Sequence, residues 1–131
     1  MITKPVFNGK PKILAIDDDE DLLTLIKNQF KKKGYNIEVS SNAKDLLDML
    51  FIVSPDIVLT DIQMNGINGR NVCRLIKTNE STKDISVLFL SGNSDVDIIT
   101  AECGADGFLR KPFKWSEAED EINRVLKISS H

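Results

Sequence analysis

Short apolar runs recur along the chain, and four of them stop abruptly at a polar residue. Lys12–Ile16 stops at Asp17-Asp18, Ile57–Thr60 at Asp61, Val87–Leu90 at Ser91, and Phe108–Arg110 at Lys111-Pro112. Runs of this length without alternation suit strands covered on both faces. Tyr35–Ser40 reads as a further strand. Between the runs the period changes to that of a helix. Leu22, Leu23, Ile26 and Phe30 share a face, Lys31–Lys33 occupy the last turn, and Gly34 suits a left-handed cap. Ala43, Leu46, Leu47 and Leu50 predict a second helix, ended by Pro55. A loop with Gly66 and Gly69 leads to a third, carrying Val72, Leu75 and Ile76. Val96, Ile99 and Cys103 would face inward on a fourth, closed by Gly104. Ser116 with Glu119 three residues on is a capping-box pattern for the last, whose inner stripe is Ala118, Ile122 and Val125.

Strand and helix therefore alternate five times. That order predicts an α/β fold, a doubly wound five-stranded parallel sheet, (βα)5, with helices on both faces. The 131 residues amount to one domain. Pro5, Gly9 and Pro11 make residues 1–11 a flexible lead-in, with the domain over 12–128 and a tail at 129–131, where His131 reads as a tag remnant.

Composition narrows the function. At 41% hydrophobic and 28% charged residues the chain is an ordinary globular one. Its net charge of −3 gives no electrostatic case for binding nucleic acid. No apolar stretch approaches a membrane span, and Met1–Lys12 lacks a signal-peptide core, so the expected location is cytoplasmic, away from membranes. Cys73 and Cys103 fit two reduced, partly buried thiols there. His131 is the lone histidine, so histidine-based catalysis has no basis within this chain.

Ligands of open parallel sheets bind outside the carboxyl ends of the strands. The residues at those ends are Asp17, Asp18, Asp61, Ser91 and Lys111. Three carboxylates brought together repel and call for a cation, and oxygen-only donors point to magnesium. Magnesium, an ammonium and a hydroxyl together suit a phosphoryl group, and one carboxylate could be its nucleophile. Asp19, Glu20 and Asp21 need no such role, because acids at a helix start cap it and favour its dipole.

Ile13–Asp18, Leu59–Met64, Leu88–Ser91 and Lys111-Pro112-Phe113, in that order, resemble the receiver domain of two-component response regulators, chemotaxis regulators among them. The resemblance runs from about Lys12 to Leu126. It implies a flavodoxin-like fold with strand order 2-1-3-4-5. It implies Asp61 as phosphoacceptor, and Asp17, Asp18, Asp61 and the backbone carbonyl of Gln63 as ligands of Mg2+, for which Mn2+ could substitute. Asp17 would act mainly through a bound water. Lys111 would contact the phosphoryl oxygens and Asp61, Ser91 would hydrogen-bond a phosphoryl oxygen, and Lys111-Pro112 would be cis. Ser91 and Phe108 would form the switch. Implied partners are a histidine kinase or histidine phosphotransfer protein. An output domain or protein, or a second copy, would use the face of helix four, strand five and helix five. Such a domain changes only its own phosphorylation and is not a turnover enzyme.

Three positions depart from the family pattern. Phe108 stands where many members carry Tyr, Met64-Asn65-Gly66 lacks the usual Pro, and the stretch from Ser91 to Phe108 is shorter than is common. Two other readings stay open. Asp17-Asp18-Asp19 fits the Asp-x-Asp pattern of haloacid-dehalogenase-like phosphatases with Asp17 as nucleophile, although Asp61 would then lack a role and a further acidic motif is missing after Lys111. A degenerate receiver serving as a constitutive binding module is the other. Trp115 reads as packing at a helix start.

Overall fold

The computed structural model describes residues 10–64 and 68–127. The expected loop residues Asn65 and Gly66, most of the expected lead-in and the 129–131 tail lie outside the described residues. The elements alternate as the pattern requires: β1 (Lys12–Ile16), α1 (Glu20–Lys32), β2 (Asn36–Ser40), α2 (Leu46–Val53), β3 (Ile57–Asp61), α3 (Gly69–Thr78), β4 (Ser86–Ser91), α4 (Val96–Cys103), β5 (Gly107–Arg110) and α5 (Trp115–Leu126). All strand pairings are parallel, in the order β2-β1-β3-β4-β5. This is the flavodoxin-like arrangement.

Successive strand side chains point to opposite faces, so each run feeds two cores. Ile13 and Ala15 of β1, Ile57 and Leu59 of β3, and Leu88 and Leu90 of β4 meet Leu23, Ile26 and Phe30 of α1 and Ala118 and Ile122 of α5. Leu14 and Ile16, Val58, and Val87 and Phe89 turn the other way, toward α2, α3 and α4. No described helix is long and apolar enough to cross a membrane.

The caps are mostly where the sequence puts them. Asp19 accepts the Leu22 N–H at 3.0 Å, Lys31 and Lys32 fill the last turn of α1, and Gly34 and Gly104 take positive φ of 87° and 73°. Four details differ. β2 begins at Asn36, and Tyr35 precedes it as an aromatic packed edge-on against Phe30. Ala43 is buried but stands ahead of α2, and Leu47 is 41% exposed, so α2 presents a narrower inner stripe than the spacing suggests. Gly69 is the first residue of α3, and Cys73, not Leu75, takes the inner place beside Val72 and Ile76. The box at Ser116 and Glu119 is not formed. α5 starts earlier, and the Glu117 carboxylate accepts the Lys114 N–H at 3.1 Å, which frees Glu119 to bind Lys33 and the Tyr35 hydroxyl. Trp115 sits at that helix start, edge-on to Phe30 and Phe113.

Candidate functional site

The carboxyl ends of β1, β3, β4 and β5 meet at one rim of the sheet, and register brings their polar residues together. Ile16 pairs with Thr60, Asp61 with Leu90, and Ser91 with Arg110, so Asp17, Asp61, Ser91 and Lys111 stand within a residue of a common level. The Lys111 N–H donates to the Ser91 carbonyl at 2.8 Å, which carries the ladder into the site. The Lys111–Pro112 peptide is cis, as the resemblance implies.

Asp17 is fully buried. One of its oxygens accepts the Asp19 N–H at 2.9 Å, and the other accepts the Lys111 ammonium at 2.9 Å. The same ammonium lies 3.5 Å from Asp61, whose second oxygen accepts the Ile62 N–H at 2.8 Å. Asp18 is exposed at the mouth. Carboxylate oxygens of Asp17, Asp18 and Asp61 all lie within 4.8 Å of one another. The cleft, about 420 Å3, is lined by Asp61, Gln63, Ser91, Gly92, Asn93 and Lys111. Asp61 and not Asp17 is therefore the carboxylate that faces it.

Among the described residues, Asp17 and Asp61 share the Lys111 ammonium in a half-buried place, with Asp18 beside them. Burial pushes the Asp61 carboxyl above its usual range, and the Asp17 charge adds to this. Lys111 and the N–H groups of Ile62 and Gln63 pull the other way without prevailing. Burial works to lower the Lys111 ammonium, but the hydrogen bond and charge of Asp17, with Asp61, outweigh it and hold the ammonium above its ordinary value. Both directions leave Lys111 charged between Asp17 and Asp61. An octahedral magnesium ion needs oxygens roughly 3–4 Å apart around it. The Asp17, Asp18 and Asp61 oxygens, all within 4.8 Å of one another, are an oxygen-only set close to that spacing. The donor set therefore fits a hard divalent cation.

The remaining expected residues divide. Ser91 is buried, and its oxygen accepts the Asn93 N–H at 3.0 Å, which leaves the hydroxyl proton to donate into the cleft. Gln63 is exposed, lines the cleft and bridges to Asn68. Phe108 does not line it. The ring is half-buried against the α2–α3–α4 core, with the Arg110 guanidinium 5.3 Å above it. Asp19 belongs to the α1 cap. Cys73 points its thiol at the Cys103 carbonyl, 3.5 Å away, and burial pushes that thiol up to about 11, so it has no reactive character.

Sequence reasoning passed over two features. Gly92 and Asn93 help form the wall, and a Ser-Gly-Asn turn was their only signal. Gly69 is the other. A Cβ there would overlap the carbonyl oxygen of Asp61, and the Gly69 N–H donates to the Ile62 carbonyl at 2.6 Å. Glycine thus lets α3 start hard against the backbone that carries Asp61. The signal was Gly directly after the capping Asn68, but only the fold shows what it must approach.

The family model described as response regulator receiver domain matches residues 13–123. Among solved structures, the non-phosphorylated receiver domain of HemR from Leptospira biflexa is similar at 27% identity and a TM-score of 0.77, over 93% of this chain and 98% of that one. The chemotaxis response regulator CheY4 of Vibrio cholerae is similar at 21% identity and a TM-score of 0.80, over 88% and 98%. The receiver domain of the sensor histidine kinase PA1611 from Pseudomonas aeruginosa matches at 20% identity and a TM-score of 0.80, over 91% and 99%. That structure has a magnesium ion coordinated in its active site cleft.

Proposed function

This chain belongs to the response regulator receiver domain family, and from that premise we propose that it is a phosphoacceptor in a two-component relay, taking a phosphoryl group onto Asp61. Receiver domains are signalling domains and not turnover enzymes, and they hold Mg2+ in an acidic site. The observation that carries the assignment to Asp61 is that this carboxylate opens to the cleft while its neighbours hold it by charge. It lies 3.5 Å from Lys111, whereas Asp17 is buried with both oxygens bonded.

The donor is phosphohistidine on a histidine kinase or histidine phosphotransfer protein. An Asp61 oxygen forms a bond to phosphorus as the N–P bond breaks, and the departing imidazole takes a proton from solvent. Lys111 turns its ammonium to the phosphoryl oxygens, and Ser91 donates its hydroxyl proton to one of them. Asp17, Asp18, Asp61 and the Gln63 carbonyl would hold Mg2+, or Mn2+ in its place. The ion supplies neutralisation of phosphoryl charge. Water later hydrolyses the acyl phosphate and resets the domain. Ser91 and Phe108 carry the change of state to the face of α4, β5 and α5, where an output domain or protein, or a second copy, binds. We place the domain at residues 12–128 and its location in the cytoplasm, with no direct nucleic-acid or membrane contact.

Incubation with Mg2+ and acetyl phosphate tests the reading. The expected product is one acid-stable, base-labile phosphoryl adduct, absent from Asp61→Asn. Label that depends on Asp17 alone, with multiple turnover of phosphomonoesters, would assign the chain to the phosphatase chemistry instead. No label on the wild-type chain would leave it a binding module.

A further inference from the structure

A second cleft, of about 460 Å3, lies at the opposite end of the sheet from the acidic site, where β3 and β4 begin. Leu47, Leu50 and Phe51 of α2 wall it with Pro55 and Ile85. Every residue of α2 except Asp48 is apolar, which is the composition of a helix enclosed on all sides. The fold encloses only part of it. Leu46 and Leu50 face the core, while Phe51 is 86% and Ile52 79% exposed. Large apolar side chains gathered in the open beside a groove mark a surface that a partner covers.

The rim decides which partner. Asp48 lines the cleft, and Asp56 and Asp84 line a shallower pocket that shares Pro55, Ser81 and Ile85 with it. Asp56 accepts the Lys12 N–H at 2.8 Å, a bond to a neutral group that leaves its charge in place. Two helix ends add negative partial charge, because α2 has no basic residue in its last turn and Asn79, the C-cap of α3, lines the cleft. Lys77 and Lys83, between α3 and β4 or just before, are engaged elsewhere. Lys77 pairs with Asp106 at 2.9 Å and Lys83 with Glu80 at 3.1 Å. Among the described residues no lysine or arginine lines either pocket. A symmetric contact between two copies would set these carboxylates against themselves, and like charges so placed repel. The complementary occupant is a segment with an apolar side chain for the groove and Lys or Arg on either side of it.

We propose that this cleft docks a partner protein through such a segment, its apolar side chain against Leu47, Phe51 and Ile85 and its cations against Asp48, Asp56 and Asp84. The cleft lies at the other end of the strands from Asp61, so a partner held here leaves the acidic site open. The inference is independent of the proposed phosphoryl chemistry.

Selection of random dodecapeptides displayed on phage against the intact chain, with Phe51→Asp as the counter-selecting target, tests it. Neither Mg2+ nor a phosphodonor is present, so the outcome is separate from the fate of Asp61. Phe51 stands in solvent, so its replacement should leave the thermal unfolding midpoint unchanged, and Ile52→Asp serves as a second target on the same face. The retained peptides should share an apolar residue flanked by Lys or Arg. Once synthesised, they should bind Phe51→Asp at least about tenfold more weakly. Asp48→Asn with Asp84→Asn should weaken them about two- to fivefold. Amide shifts on binding should fall on α2 and on the stretch from Asn79 to Ile85. Retained peptides that lack cations, or whose affinity ignores either set of substitutions, overturn the proposal. So does a selection in which no peptide distinguishes the wild-type chain from Phe51→Asp and Ile52→Asp. Self-association of the wild-type chain in sedimentation, abolished by Phe51→Asp, also overturns it and would give the face to a second copy.

Discussion

Carboxylates serve the two ends of this sheet in opposite ways. At the end where strands begin, Asp56 accepts the Lys12 N–H and Asp106 accepts the Val87 N–H, each at 2.8 Å, and Lys77 pairs with Asp106. Each of these acids finds partners that were waiting for a negative charge. At the end where strands finish, Asp17, Asp18 and Asp61 lie together, Asp17 and Asp61 share Lys111, and burial with the Asp17 charge drives the Asp61 carboxyl upward. The difference separates structural acids from chemical ones. A carboxylate whose neighbours are donors stabilises the fold, while one whose neighbours include other carboxylates is held at a cost, which is the ground on which Asp61 is proposed as the phosphoacceptor.

The largest break in the comparison comes from Lys111→Ala. Asp17 would remain buried without its ion partner, and removing one partner of a buried pair costs about 3–5 kcal/mol. Denaturant unfolding should show that loss, and phosphorylation of Asp61 should fall with it. Asp106→Ala probes the other end. It leaves the buried Val87 N–H without an acceptor, at a cost of about 1–3 kcal/mol, and should leave phosphorylation intact.

Asp61→Asn reverses the sign. A folded-state pKa above the unfolded value means that the folded state binds more protons between the two, so stability falls as pH rises through that window and the deficit persists above it. Removing the charge should therefore raise Tm at neutral pH without metal. Mg2+ should raise the Tm of the wild-type chain by mass action and that of Asp61→Asn less, and EDTA should reverse the gain.

Glu119→Gln should have the smallest effect, below about 1 kcal/mol, because its lysine partners are partly exposed and the amide oxygen of Gln still accepts from the Tyr35 hydroxyl. Glu119 is held below its usual value first by the Lys33 hydrogen bond, then by that of Tyr35, against burial. Its contribution is present above the unfolded carboxylate pKa and fades as pH falls through the depressed folded value. A pH series on both proteins should converge in acid.

The contrast also marks how far the amino-acid order reaches. Apolar runs with polar stops are local, and so are Asp19 as a cap and Gly34 and Gly104 as helix ends. These follow from backbone geometry within a few residues, and so does the alternation that requires a parallel sheet. Asp17, Asp18 and Asp19 are adjacent and chemically identical. Yet the fold buries the first, exposes the second and spends the third on a helix end. Ser116 and Glu119 matched a capping box, but Glu119 bonds to Lys33 and Tyr35 across the fold. Gly69 matters because of an oxygen eight residues away in sequence, brought against it by the packing of α3 on β3. The elements and their order were thus determined along the chain. The burial, pairing and charge state of each acid were decided by crossovers that bring Lys111 to Asp17 across 94 positions, because electrostatics depends on distance in space and not on distance in sequence.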